Sequence, residues 1–185
     1  MTELWQLYDE QGRPVIGKGS TKDDVFGKAL LHGASHVWIW RHKGNKIQIL
    51  LQKRAADKRT WPNYYDISAA GHIDLGEDPI TAAVRETKEE IGHDVPDTDL
   101  RFIGVDRRVI TTPDGKSTEN EICWLYALRL DDTSSLSLDD GEVASVEWKD
   151  ISVMKQEVIN NGNYVPHGAT YYKTIFEAVE RLSDA

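Results

Sequence analysis

The 185-residue sequence has a single cysteine, Cys123, which excludes an intramolecular disulfide framework and a cysteine-based zinc site. Its neighbours Ile122, Trp124 and Leu125 form a strand-like apolar run in which a thiol is expected to serve as core packing. No apolar run approaches the ~20 residues that span a bilayer. The opening Met1-Thr2-Glu3-Leu4-Trp5 is already amphipathic and lacks the basic, apolar and small-residue succession of a secretory signal. A soluble, cytoplasmic protein with no membrane partner is the expectation. Positive charge is short as well: 22 Lys and Arg against 31 Asp and Glu leave a formal net charge of -9. Nucleic acid polymers and anionic membranes need a positive face, which this balance disfavours. A small phosphorylated molecule stays compatible if bridging cations join two negative partners, so the acidity points toward a metal cofactor.

What is present suffices for one domain over residues 1–185, with 39% hydrophobic residues to fill a core. Residues 1–30 read as an N-terminal strand or hairpin elaboration, turning at Glu10-Gln11-Gly12, with a short capped helix from Ser20 to Gly27. Strands are expected at Ser35 to Trp40 and Lys46 to Lys53, around the turn-like His42-Lys43-Gly44-Asn45. A looser charged stretch follows from Arg54 to Asn63. Further strands are expected at Leu100 to Ile110 and Glu121 to Leu130, joined by a loop with Pro113-Asp114-Gly115, and at Val143 to Trp148. Helices are expected from about Ile151 to Ile159 and from Tyr171 to Leu182. Strands interleaved irregularly with helices favour a mixed α/β sandwich.

The strongest helix lies between Asp78, which can cap its start, and Gly92, which suits its end, with Pro79 at the first helical position. At about 100° per residue, Ile80, Ala83, Val84, Thr87 and Ile91 share one face that should be buried. Glu86, Glu89 and Glu90 fall on an adjoining face at i, i+3 and i+4, where side chains meet. Three like charges so close repel unless something positive sits among them. A solvated face of weak surface pairs with Arg85 and Lys88 is one reading. The other is a magnesium site, which takes a few carboxylates and leaves its remaining positions to water and phosphate oxygens. A loop glycine such as Gly71 can let its carbonyl approach a metal, and Arg85 can orient a carboxylate.

Gly71, Glu77, Arg85, Glu86, Glu89, Glu90 and Gly92 fit the Nudix box, G-x5-E-x7-R-E-U-x-E-E-x-G-U with U aliphatic. Thr87 and His93 depart from the aliphatic positions. The resemblance implies a Nudix fold, an α/β/α sandwich with a mixed sheet, in which the box forms a loop-helix-loop metal motif. It implies that Glu86, Glu89, Glu90 and the Gly71 carbonyl hold Mg2+ or Mn2+, that Arg85 orients them, and that Glu77 is structural. The implied activity is hydrolysis of a phosphoanhydride in a small organic diphosphate by metal-activated water.

Leu31-His32, Trp38-Ile39, Leu51-Gln52-Lys53-Arg54, Lys58, Trp61-Pro62, Asp66 and Gly71-His72 further resemble type I isopentenyl diphosphate isomerase and its hydrolase-like relatives, as does Glu119-Asn120-Glu121. That isomerase needs a cysteine just before its Gly-His pair, where this chain has Ala70, and its box is eroded where Arg85-Glu86 and Glu89-Glu90 are intact. Both differences favour hydrolysis over double-bond isomerisation. The same resemblance implies a second metal site from His32, His72, Glu119 and Glu121, although Val25 stands where a further histidine is expected. His36 would join that strand face only if its strand started early. Lys53, Arg54, Lys58 and Arg59 form a positive cluster suited to a diphosphate, with Trp61, Tyr64 and Tyr65 as candidate pocket aromatics. Glu89, Glu90, Glu121 and Glu142 all stay open as general base. An isoprenoid diphosphate isomerase, a binding module without turnover and a homodimer are the alternatives left standing.

Overall fold

The structure, a computed structural model, describes residues 3–58, 60–112, 115, 118–133, 136–138, 141–160 and 162–184. Strands β1 (Trp5–Tyr8) and β2 (Pro14–Ser20) form an antiparallel hairpin, followed by helix α1 (Lys22–Lys28). The Thr21 hydroxyl caps α1 by accepting from the Asp24 N–H at 3.4 Å. The long strand β3 (Leu31–Lys43) is the axis of the sheet. On one side it runs parallel to β8 (Thr118–Arg129), which pairs antiparallel with the edge strand β7 (Arg101–Thr111). On the other side it meets β6 (Ala69–His72) with its first half and β4 (Lys46–Arg54) with its second, both antiparallel. β4 in turn carries β5 (Tyr65–Asp66) and β9 (Val143–Asp150).

Period-two alternation divides the core into two layers. Trp38, Ile49, Leu51 and Leu125 pack with Met154 of α3 (Ile151–Ile159) and with Tyr171, Ile175 and Val179 of α4 (Ala169–Ser183). Val37, Ile39, Leu50 and Leu128 pack instead with Ala83 and Ile91 of α2 (Pro79–Ile91). Helices thus cover both faces of a mixed sheet, the expected α/β/α sandwich. Side chains such as Trp38, Ile49 and Ile175 are fully buried, each contributing roughly 1.5–3 kcal/mol. Among the described residues no helix is long and apolar enough to cross a membrane.

Three elements, β3, β5 and β6, depart from the sequence reading. β3 begins at Leu31 rather than Ser35, because Leu31, His32 and Gly33 pair in parallel with Asn120, Glu121 and Ile122. β5 and β6 are short and rich in alanine and polar residues, so neither carries an apolar alternation. Pro113, Asp114, Met1 and Thr2 lie outside the described residues, while Gly115 makes a turn at φ +70°.

Candidate metal and diphosphate site

Helix α2 presents the box. The Asp78 carboxylate accepts from the N–H groups of Ile80 and Thr81, each at 3.1 Å, Pro79 opens the helix, and Gly92 closes it at φ +69°. Ala83, Thr87 and Ile91 are buried, with Ile80 and Val84 packed beside them. Thr87 fits its aliphatic position because its hydroxyl donates back to the Ala83 carbonyl at 2.7 Å. His93 follows the terminal glycine, half-buried beyond the helix.

Arg85 is the centre of the acidic face. Its Nε and Nη2 donate to the two Glu77 oxygens at 3.0 and 2.8 Å, a bidentate pair. Nη1 donates to Glu86 at 2.6 Å and to Glu89 at 3.0 Å, and Nη2 also reaches the His72 carbonyl at 2.8 Å. Glu77 in turn accepts from the Asp74 N–H at 3.0 Å, which ties the preceding loop to the helix. Glu90 is buried and accepts from the Ala70 N–H at 2.8 Å and from Gln52 Nε2 at 3.2 Å. Burial pushes the Glu90 carboxyl up to about 8 and that of Glu86 up to about 7, with neighbouring carboxylates adding to both. Arg85 works against the rise at Glu86. Buried carboxylates that repel one another form a donor set that a divalent cation relieves.

Gly71 closes this set. A Cβ built there would lie 1.9 Å from Glu86 Cδ, so the carboxylate rests directly against the glycine backbone. Only a residue without a side chain lets Glu86 and the Gly71 backbone converge in this way. Glu86, Glu89, Glu90 and Gly71 all line one cavity of about 870 Å³.

A second cluster meets across the same cavity. Because β3 starts early, His32 stands opposite Glu121 of β8. His32 Nε2 and His72 Nε2 lie 3.4 and 3.5 Å from the same oxygen, Glu121 Oε1. His32 Nδ1 meets the Leu30 carbonyl at 2.9 Å, which directs the lone pair of Nε2 toward Glu121. That Nε2 is buried with no hydrogen-bond partner among the described residues. An orphaned buried nitrogen beside a carboxylate and a second imidazole fits a metal ligand set. Trp5 stacks on His72 at 3.5 Å between ring centres, and Val25 is fully buried, so the N-terminal segment roofs this cluster with apolar groups rather than a third histidine. Glu119 stands in the cavity wall, outside the three converging atoms. Burial, with Glu121 nearby, pushes it up to about 7.

The positive group divides. Arg54 lines the cavity, donating to the Thr60 carbonyl at 3.1 Å and to Asp66 at 2.8 Å. Lys58 pairs with Glu142 at 3.1 Å, and both line the cavity, as does Trp61. Lys53 does not line it. That lysine pairs with Tyr65 and Ser145, and a register irregularity separates it from Arg54 in the β4–β9 ladder. Arg59 lies outside the described residues. Tyr64 packs edge-on against Trp61, and Tyr65 meets Tyr164 at a tilt of 40°.

Sequence reasoning missed Arg108 and His167. Arg108 faces Glu121 across the β7–β8 ladder and donates to Glu121 Oε2 through Nε at 2.9 Å and Nη2 at 2.7 Å. His36, on the same face of β3 as His32, lies 3.4 Å from Arg108 Nη2. Burial and the Arg108 charge hold the His36 ring well below its ordinary range, hence neutral. An isolated arginine in a predicted strand carries no signal of burial. Only the register of two strands reveals it.

Comparisons with known proteins bear on the family and the fold. A family profile described as the NUDIX domain matches residues 30–167. An uncharacterized Nudix hydrolase of Clostridium acetobutylicum is 30% identical, covering 96% of this chain and 97% of its own. An isopentenyl-diphosphate Delta-isomerase of Escherichia coli is 34% identical, covering 68% of this chain and 65% of its own. Among solved structures, DR0079 of Deinococcus radiodurans superposes with a TM-score of 0.69 at 19% identity, over 97% of this chain and 98% of that one, a likeness of fold. The chain belongs to the NUDIX domain family. Within it, the chain is related both to an uncharacterized Nudix hydrolase and to isopentenyl diphosphate isomerase.

Proposed function

We propose that the chain, as one Nudix domain over residues 1–185 with an N-terminal elaboration of about 30 residues, hydrolyses a phosphoanhydride in a small organic diphosphate. Mg2+ or Mn2+ is the cofactor in this reading, held by Glu86, Glu89, Glu90 and the Gly71 carbonyl. The observation that carries it is the convergence of Glu86 on Gly71 with Arg85 gripping Glu77, Glu86 and Glu89 together. A divalent cation in this set supplies neutralisation of phosphate charge and a lower pKa for bound water. Arg85 keeps the ligand oxygens turned toward the cavity, and Glu90 is fixed by Ala70 and Gln52. Arg54 and Lys58 line the same cavity and are suited to the diphosphate oxygens. Burial works against ionising Glu121, yet the Arg108 charge holds it well below the usual carboxylate range. It is therefore a weak proton acceptor, and the general base is better sought at Glu89, the most exposed of the box glutamates, or at Glu142. His32, His72 and Glu121 are proposed to hold a second cation.

The likeness to the isomerase keeps one rival in view. Carbon protonation needs an acid where this chain has Ala70, which has no proton to give. Incubation with isopentenyl diphosphate is expected to yield no dimethylallyl diphosphate, and its appearance without phosphate release would favour the rival. A panel of nucleotide sugars, dinucleotides, oxidised nucleotides and prenyl diphosphates, scored for phosphate release with Mg2+ or Mn2+, tests the main reading. Glu90→Gln should cut kcat by at least about a hundredfold while the protein stays folded. Turnover within severalfold of the parent would remove Glu90 from the mechanism.

A further inference from the structure

His167 comes from the segment between α3 and α4, which is fastened to β5 by the Val165 N–H donating to the Tyr65 carbonyl at 2.9 Å and the Tyr65 N–H to Asn163 at 2.8 Å. The histidine is buried at the cavity wall, and both ring nitrogens are engaged. Nε2 lies 2.8 Å from Asp66 Oδ1, and Nδ1 meets Nη1 of Arg108. An arginine can only donate, so Nδ1 accepts and Nε2 carries the proton that goes to Asp66. Asp66 uses its other oxygen on Arg54 at 2.8 Å, and Arg108 uses its other nitrogens on Glu121. One neutral ring thereby bridges two ion pairs, Arg54–Asp66 and Arg108–Glu121, whose outer members face the two halves of the site.

We infer that His167 is a positioning residue that sets Arg54 and Glu121 at once, acting through Asp66 on one side and Arg108 on the other. This rests on the reading of Arg54 as a diphosphate contact and of Glu121 as a cation ligand. A buried histidine that merely filled space would not join two cavity-lining arginines through its two nitrogens. Groups that hold metal-ligating carboxylates in place are typically worth about 10–100-fold in metal affinity.

The test uses the full chain and two calorimetric titrations, one with Mn2+ alone and one with imidodiphosphate in the presence of Mg2+. His167→Leu preserves volume and removes both hydrogen bonds. It is expected to weaken both ligands by about tenfold, and His167→Gln, which keeps an acceptor and a donor, should recover part of each. Both affinities within twofold of the parent in folded His167→Leu would overturn the inference. If that variant does not fold, the parent's imidazole 15N spectrum decides: the His167 signals should show an Nε2-protonated ring and move when imidodiphosphate binds, and unmoved signals count against the role. Failure of the parent to bind imidodiphosphate at all would instead sink the proposed function.

Discussion

Gly71 shows how a missing side chain can be the decisive chemical feature of a position. The Cβ of an alanine would sit where the Glu86 carboxyl now lies, 1.9 Å from Cδ. Because that carboxyl is the end of a flexible side chain, the fold can absorb the change while the ligand geometry cannot. Gly71→Ala is expected to leave the melting temperature nearly unchanged and to weaken Mg2+ binding by about tenfold or more, measured by calorimetry on both proteins. An unchanged affinity would dissociate Gly71 from the metal set. At this scale the box was legible in the sequence, because its offsets encode chemistry directly: Arg85 needs Glu77 eight residues earlier and Glu89 four residues later, and the structure supplies both contacts. Arg108 and His167 were not legible. Their roles depend on which strands become neighbours and on a loop near the chain's end, and no local pattern records either.

Helix α2 joins stability to the site. Its start depends on the Asp78 carboxylate, which accepts from two backbone N–H groups and from the Thr81 hydroxyl at 2.9 Å. Asp78→Ala should lower unfolding stability by about 1 kcal/mol, read from denaturant midpoints. The carboxylates of Glu86, Glu89 and Glu90, lying about two to three turns away, should keep their metal affinity. A loss of affinity without loss of stability would show that the cap acts on the site rather than on the helix. The helix was foreseeable from its cap, proline and terminal glycine. Strands β5 and β6 were not, since Tyr65–Asp66 and Ala69–His72 are paired by their backbones and carry no apolar alternation. Yet β6 is the strand that delivers Gly71 and His72. The early start of β3, named beforehand only as a condition on His36, depends on pairing with β8 that no local pattern records.

Across the whole molecule, an acidic chain gathers part of its charge around one cavity, with box glutamates on one wall and Arg54, Lys58 and Arg108 on others. The cation-free protein should feel this as a pH dependence. Burial raises Glu86 from 4.5 to about 7 and Glu90 from 4.5 to about 8. The folded state therefore binds more protons than the unfolded one across that window. Stability contributed by these groups is present at low pH and lost as pH rises through about 7 to 8. A divalent cation favours the ionised carboxylates and offsets the loss, so the rise in melting temperature on adding Mg2+ should grow between about pH 5 and pH 8. A rise that stays flat or shrinks over that interval would contradict the assignment of these carboxylates.

The central claim is that clustered carboxylates on α2 collect divalent cations for phosphoanhydride cleavage. Its most direct measurement is calorimetric titration of the intact protein with Mg2+ or Mn2+ in the presence of imidodiphosphate, beside a Glu86→Gln, Glu90→Gln double variant. Saturable uptake by the parent, largely lost in the variant, is the expected result. No uptake by the parent under those conditions would contradict the claim.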